Sequence, residues 1–272
     1  MKYAFKIMLL GLGLVLMMVL LKSQLYTMQT FAGEDSEISR VIYVVDSNLS
    51  SKLITHVDTG GKKLVALTFD DGPDPLYTKN VLRILRRYGI KATFFVVGEN
   101  AEAYPDLVKQ EMNEGHEIEN HTYTHADLSR VDEAATEQEI SKTDKLLRRM
   151  LGRDINYFRP PRKLFRAETI EIAERYGYKT ILWTICVENA NARIPPNMAA
   201  RVVDAARPGM IILAHDGRLD RSKTLLALPI IIEAMQKQGY QFVTMDDLFA
   251  QSNKSPSNDG SESHERQKNP VQ

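Results

Sequence analysis

The chain has 272 residues, 35 Lys+Arg against 35 Asp+Glu, a formal net charge of zero and a hydrophobic fraction of 43%. This balance excludes the basic excess of a nucleic-acid-binding protein and the acidic excess of a solvating, disordered one. Cys186 is the only cysteine, so no intramolecular disulfide can staple the fold, and stability has to come from a core and any metal it binds.

Lys2 and Lys6 precede an uninterrupted apolar run from Ile7 to Leu21, closed by Lys22. A bilayer-crossing helix needs about 20 residues, with a lower limit of about 17. Tyr3 to Leu21 reaches that limit if Lys6 snorkels to the interface. Residues 1–27 therefore read as an N-terminal signal-anchor, a single-pass membrane helix with the rest of the chain outside the cell. The alternative is a cleaved secretory signal, for which Thr30-Phe31-Ala32 is a poor cleavage site because it lies far past the apolar run. Residues 28–61 read as a polar stalk in which Val41 to Val45 offers one edge strand. Residues 252–272 lack apolar periodicity and are expected to be a disordered polar tail.

Over residues 62–251 apolar runs and helical patterns alternate. Strands are expected at Leu64 to Phe69, Thr93 to Val97, Glu117 to Asn120, Tyr157 to Arg159, Thr180 to Ile185, Met210 to Ala214 and Gln241 to Val243. Helices are expected at Thr78 to Tyr88, Pro105 to Glu114, Glu133 to Leu151, Ala167 to Tyr176, Met198 to Ala206 and Thr224 to Gln238. Gly89, Gly115, Gly177 and Gly239 follow four of these helices, as C-terminal caps should. The alternation predicts an α/β fold with about seven parallel strands in a distorted or incomplete (β/α) barrel.

Four clusters of reactive side chains fall just after predicted strands, where a β/α barrel builds its site. In Thr68-Phe69-Asp70-Asp71-Gly72-Pro73, two adjacent carboxylates repel unless a cation or proton intervenes. Alone, the motif reads as a turn. His121-Thr122-Tyr123-Thr124-His125 places two histidines four apart, on one face if the segment is helical, within reach of one metal. Asp71 would complete a His-His-Asp set with an open position, leaving Asp70 to take a proton from water. Phe158-Arg159-Pro160-Pro161-Arg162 is a stiff loop that by itself reads as a connection. In Ile211 to Gly217, His215 ends a buried strand, where it suits a general acid, although alone it reads as a core or loop histidine.

Together these clusters resemble the NodB-type polysaccharide deacetylases, also called carbohydrate esterase family four, over residues 62 to 250. The resemblance implies Asp70 as catalytic base and Asp71, His121 and His125 as ligands of a divalent metal, usually zinc. It implies Arg159 as the residue that positions the base, and His215 as the acid that protonates the leaving amine. Leu213 is implied as a wall of the acetyl pocket, and the backbone N–H of Arg162 as an oxyanion donor. The expected reaction is hydrolysis of acetyl groups from N-acetylglucosamine units of a glycan, peptidoglycan for an exported enzyme. An O-acetyl polysaccharide esterase and a weakened, wall-binding pseudoenzyme are the alternatives.

The chain departs from the family pattern twice. Arg162-Lys163 replaces the usual Tyr-Gly after Arg-Pro-Pro. After Trp183, where the family carries two aspartates and a tryptophan, this chain reads Cys186, Val187, Glu188, Asn189 and Ala190. Asn189 stands where an aspartate normally supports the acid histidine, and Ala190 where the tryptophan lines the acetyl pocket. Glu188 is the hypothesised substitute for the missing carboxylate.

Overall fold

The computed structural model describes residues 47–252. The expected anchor at 1–27, the edge strand at 41–45 and the tail beyond 252 lie outside the described residues. Among the described residues no helix is long and apolar enough to cross a membrane.

Among the described residues nine short strands form one sheet, and every strand pair in it is parallel. They are β1 (Leu53–Ile54), β2 (Leu64–Asp70), β3 (Thr93–Val96), β4 (Glu117–Asn120), β5 (Tyr157–Phe158), β6 (Lys179–Ile181), β7 (Ile185–Cys186), β8 (Ile211–His215) and β9 (Gln241–Val243). Their order is β1-β6-β5-β4-β3-β2-β8-β7, and β9 also pairs with β2. The central strand β2 is buried along its whole length, as a parallel strand covered on both faces must be. Its first half pairs with β9 through Leu64 to Ala66, and its second half with β3 through Thr68 to Asp70.

The helices are α1 (Ser47–Ser50), α2 (Tyr77–Tyr88), α3 (Gly98–Ala103), α4 (Pro105–Asn113), α5 (Glu133–Leu151), α6 (Ala167–Arg175), α7 (Pro195–Asp204), α8 (Ser222–Lys237) and α9 (Met245–Ser252). In α2 the buried Thr78, Val81, Leu82 and Leu85 make one apolar stripe. Gly89, at φ 64°, ends α2 in the left-handed conformation and donates its N–H to Arg86. Asp132 caps α5 by accepting the N–H of Ala135 at 2.8 Å.

The sheet is a distorted barrel, with two differences from expectation. The strand expected at 180–185 is broken, because Leu182 donates its N–H to Ile54 while Thr184 donates its own to Ile211. One stretch of chain thus serves two neighbours, β1 below the break and β8 above it. The second difference lies in the segment expected as stalk. Leu53 and Ile54 register with Thr180 and Ile181, His56 forms an antiparallel bridge to Met210, and Val57 is buried in the core. The segment Leu53 to Val57 therefore spans the gap between β6 and β8, and folded structure begins ahead of residue 62.

The two ends of the sheet use different backbone devices. Among the described residues, the glycines at positive φ, such as Gly115 and Gly209, all lie in segments leading into strands. The non-glycine residues at positive φ are Asp71, Thr122, His125, Arg162, Lys163 and Arg218, and all follow strand ends. Each such residue costs roughly 1–3 kcal/mol, and such strain clusters at functional sites.

Candidate active site

Asp70 ends β2 and Asp71 follows it, His121 and His125 follow β4, Arg159 follows β5 and His215 ends β8. Parallel register puts Asp70 beside His215 and Thr68 beside Leu213. Residues in register share a face, so Thr68, Asp70, Leu213 and His215 all point the same way as the guanidinium that contacts Thr68 and Asp70.

That guanidinium belongs to Arg159, which is fully buried. It donates from Nη1 to Asp70 Oδ1 at 2.6 Å and to Thr68 Oγ1 at 3.0 Å. Its Nε and Nη2 donate to the carbonyls of Ile181 and Leu182, each at 3.2 Å. Phe95 packs against its face at 4.0 Å. The arginine is thereby fixed from two strands, and it fixes the carboxylate of Asp70 in turn.

The carbonyl oxygen of Arg159 lies 2.8 Å from Nδ1 of His121. A carbonyl only accepts, so Nδ1 carries a proton, and Nε2 is the nitrogen left to face a cation. This Nε2 lies 3.7 Å from both Asp70 Oδ2 and Asp71 Oδ1. Nε2 of His125 lies 3.0 Å from the same Asp71 Oδ1.

The helical face expected for His121 and His125 is not formed. The segment is a loop with Thr122 at φ 65° and His125 at φ 61°. Glu139 of α5 replaces the missing helical acceptors, taking the N–H groups of Tyr123 and Thr124 at 2.9 and 2.8 Å and the Thr124 hydroxyl at 2.7 Å. Asn120 Oδ1 accepts the N–H of Thr122. The two rings still meet, with centroids 5.1 Å apart.

Asp71, His121 and His125 suit a divalent cation. All three are buried, and their ligand atoms lie within 4.8 Å of one another. Asp71 Oδ1 is a buried acceptor with no hydrogen-bond partner, aimed at two imidazole nitrogens. A cation at this point would satisfy all three groups. Burial pushes the Asp71 carboxyl up, but the His121 and His125 rings together hold it well below its ordinary value. Burial pulls His125 down, with His121 and Arg218 acting in the same direction and Asp71 opposing. Both directions favour ligand forms, an anionic carboxylate and a neutral imidazole.

His215 has the carboxylate partner hypothesised for it. Glu188 Oε2 lies 3.0 Å from His215 Nδ1, and Oε1 accepts the His215 backbone N–H at 3.2 Å and the Thr224 hydroxyl at 2.6 Å. Burial raises the Glu188 carboxyl, yet His215 draws it down to about 2. Burial lowers His215, yet Glu188 lifts it well above its ordinary value. Asn189 makes no such contact and instead accepts the N–H of Asn191 at 2.7 Å, within its own turn.

Leu213 is buried in β8, two residues before His215. Arg162 lies in a short 3-10 turn, Pro161–Lys163, at φ 56°, and Lys163 stacks on Trp183 at 4.0 Å.

Three supporting residues had no distinguishing signal in the sequence. Arg221 donates to Asp71 Oδ2 at 3.1 Å and to the Gly217 carbonyl at 2.8 Å. Asn100 donates to the Asp71 carbonyl at 2.8 Å. Glu139 carries the histidine loop. All three are ordinary polar residues in polar surroundings, and only their tertiary position gives them a role.

Residues 57–181 match the polysaccharide deacetylase family model. A peptidoglycan-N-acetylglucosamine deacetylase of Bacillus cereus is 40% identical over 190 residues, covering 69% of this chain and 89% of that one. A chitooligosaccharide deacetylase of Azorhizobium caulinodans is 33% identical over 194 residues, covering 67% and 92%. The crystal structure of the Bc1960 peptidoglycan N-acetylglucosamine deacetylase aligns with TM-score 0.70 at 33% identity, covering 73% of this chain and 93% of that one. The structure of BA3943, a pseudoenzyme of carbohydrate esterase family four from Bacillus anthracis, aligns with TM-score 0.66 at 27% identity, covering 72% and 68%.

Proposed function

Because the chain belongs to the polysaccharide deacetylase family, carbohydrate esterase family four, we propose that it hydrolyses the acetamide of N-acetylglucosamine units in peptidoglycan. The observation that carries this reading is the Asp70 carboxylate, clamped by Arg159 beside the Asp71–His121–His125 set. Asp71, His121 and His125 would hold a divalent cation, proposed to be zinc, which supplies Lewis-acid polarisation of a carbonyl and acidification of water.

The chain's own residues supply the remaining chemistry. Asp70 is the base that takes a proton from the attacking water. Arg159 keeps its carboxylate oriented. The Arg162 N–H donates to the developing oxyanion, with the left-handed backbone at Arg162 and Lys163 setting its direction. His215 delivers a proton to the departing amine. Glu188 holds that ring by Nδ1 and stabilises its charged form. Leu213 offers apolar surface to the acetyl methyl.

A pseudoenzyme among the structural neighbours means that likeness of fold does not by itself imply turnover. Support for turnover comes from the base, the ligand set and the acid all being present, with Glu188 supplying the carboxylate that Asn189 lacks. The apolar run from Ile7 to Leu21 supports export, with tethering to the outer face of the membrane.

Acetate release from peptidoglycan, from N-acetylglucosamine oligomers and from an O-acetylated xylan tests the reading. Release from the N-acetylated substrates, lost in Asp70→Asn, is the expected result. Release from the O-acetylated polymer alone would overturn it in favour of an esterase.

A further inference from the structure

The wall of the site formed by β7 and β8 contains a second set of metal-ligating atoms. Cys186 registers with Leu213, and two residues on, Glu188 stands beside His215. Alternation along β8 turns Leu213 and His215 to one face, Cys186 at the end of β7 lies in register beside Leu213, and Glu188, two residues past the strand, contacts His215. Glu188 is already oriented: Thr224 and the His215 backbone N–H occupy Oε1, which leaves Oε2 facing His215 Nδ1 at 3.0 Å and Cys186 Sγ at 3.4 Å. All three donor atoms lie within 4.8 Å of one another, and all three residues are only partly buried, so solvent ions can reach them.

From usual zinc bond lengths, a tetrahedral ion separates N from O by about 3.3 Å and S from O by about 3.5 Å. The observed 3.0 and 3.4 Å need to open by only a few tenths of an ångström. We infer that Cys186, Glu188 and His215 form a second, inhibitory site for a thiophilic divalent cation such as zinc, distinct from the Asp71–His121–His125 set. A thiolate, a carboxylate and an imidazole together match the ligand preference of such an ion, the Cys186 thiol releasing to solvent, on binding, the proton it now directs at Glu188.

Occupancy would silence His215. A metal ligand has to be the neutral imidazole, so an ion at Nδ1 displaces the proton shared with Glu188 and removes the imidazolium that acts as acid. The inhibitory consequence rests on the deacetylase reading, whereas binding itself does not.

Cobalt(II) titration of the full chain in detergent separates the two. The Asp71 set contains no sulfur, so it gives only weak visible bands. The second site must add a near-ultraviolet thiolate-to-cobalt charge-transfer band, absent in Cys186→Ser. No such band in the wild-type chain at several-fold excess cobalt, or an equal band in Cys186→Ser, would overturn the site. In the activity arm, raising zinc from one equivalent to excess should lower acetate release by roughly a hundredfold or more in the wild type, on the scale of losing a general acid, and far less in Cys186→Ser. Equal inhibition of both would overturn the inhibitory role. If neither protein releases acetate from any substrate, the deacetylase reading fails while the cobalt band still reports on the site.

Discussion

His121 donates its Nδ1–H to the backbone carbonyl of Arg159, and the guanidinium of the same arginine grips Asp70. One residue thus sets the direction of the His121 ring, a proposed metal ligand, with its main chain and of the Asp70 carboxylate, the proposed base, with its side chain. A mutation at Arg159 reaches only the second of these functions directly, because any residue keeps the carbonyl.

Arg159→Leu leaves the Asp70 carboxylate buried without its partner. Removing one member of a buried ion pair costs roughly 3–5 kcal/mol. The expected outcome is a destabilisation of that size in denaturant unfolding, with near-complete loss of acetate release. Arg159→Lys should recover part of the stability but little of the activity, since an ammonium cannot reach Thr68, Asp70, Ile181 and Leu182 together.

Metal affinity and turnover should separate by residue. His125→Ala removes a ligand and is expected to weaken zinc binding beyond the roughly 10–100-fold typical of losing an outer-sphere partner. Asp70→Asn should bind zinc within a few-fold of the wild type and still be inactive. Calorimetric titration of the metal-free variants checks both. An Asp70→Asn protein that turns over normally would remove the assigned base.

The Glu188–His215 pair sets a pH dependence with a definite sign. Glu188 raises His215 above its ordinary 6.5, and the acid has to be protonated to act, so the wild-type rate falls only as pH climbs past that raised value. In Glu188→Gln the imidazolium loses its carboxylate, and the alkaline limb of kcat/KM should move to lower pH. Stability follows the same linkage. The His215 contribution is full below 6.5 and is lost as pH rises through the raised value. The Glu188 contribution is full above 4.5 and is lost as pH falls towards about 2. Thermal melts should therefore show the largest wild-type advantage over Glu188→Gln between those two pH values.

Gly72 lies against the carboxylate of Asp216, and an added Cβ there would collide with it. Gly72→Ala should displace the Asp71 turn, reducing both zinc affinity and melting temperature. An alanine variant with wild-type metal affinity would show that the turn tolerates the shift.

Much of this architecture was legible in the sequence because burial imposes strong patterns. The run Leu64 to Phe69, the amphipathic stripe at Val81, Leu82 and Leu85 and the capping glycines each follow from a local rule. The predicted extent of the long helix, Glu133 to Leu151, is the observed one. Elements set by tertiary pairing were not legible. The two residues of β1 have no period to detect, and the break at Leu182 to Thr184 depends on which neighbour takes each N–H. Short helices such as α3 and α9 carry too few apolar positions to stand out. At the site, histidine spacing indicated that the two rings meet but suggested a helix where there is a loop, because the acceptor replacing the helical carbonyls is Glu139, 14 residues after His125. Glu188 was reachable only as a compensation for Asn189.

The segregation of left-handed residues has a consequence for how this protein tolerates change. Entrances to strands use glycine, which accepts such a conformation freely. Exits from strands force aspartate, threonine, histidine, arginine and lysine into it, held there by contacts such as Asn100 and Arg221 on Asp71. Directed evolution towards heat resistance should therefore find its gains on the entrance side, while improvements drawn from the exit side would relax the geometry that performs the chemistry.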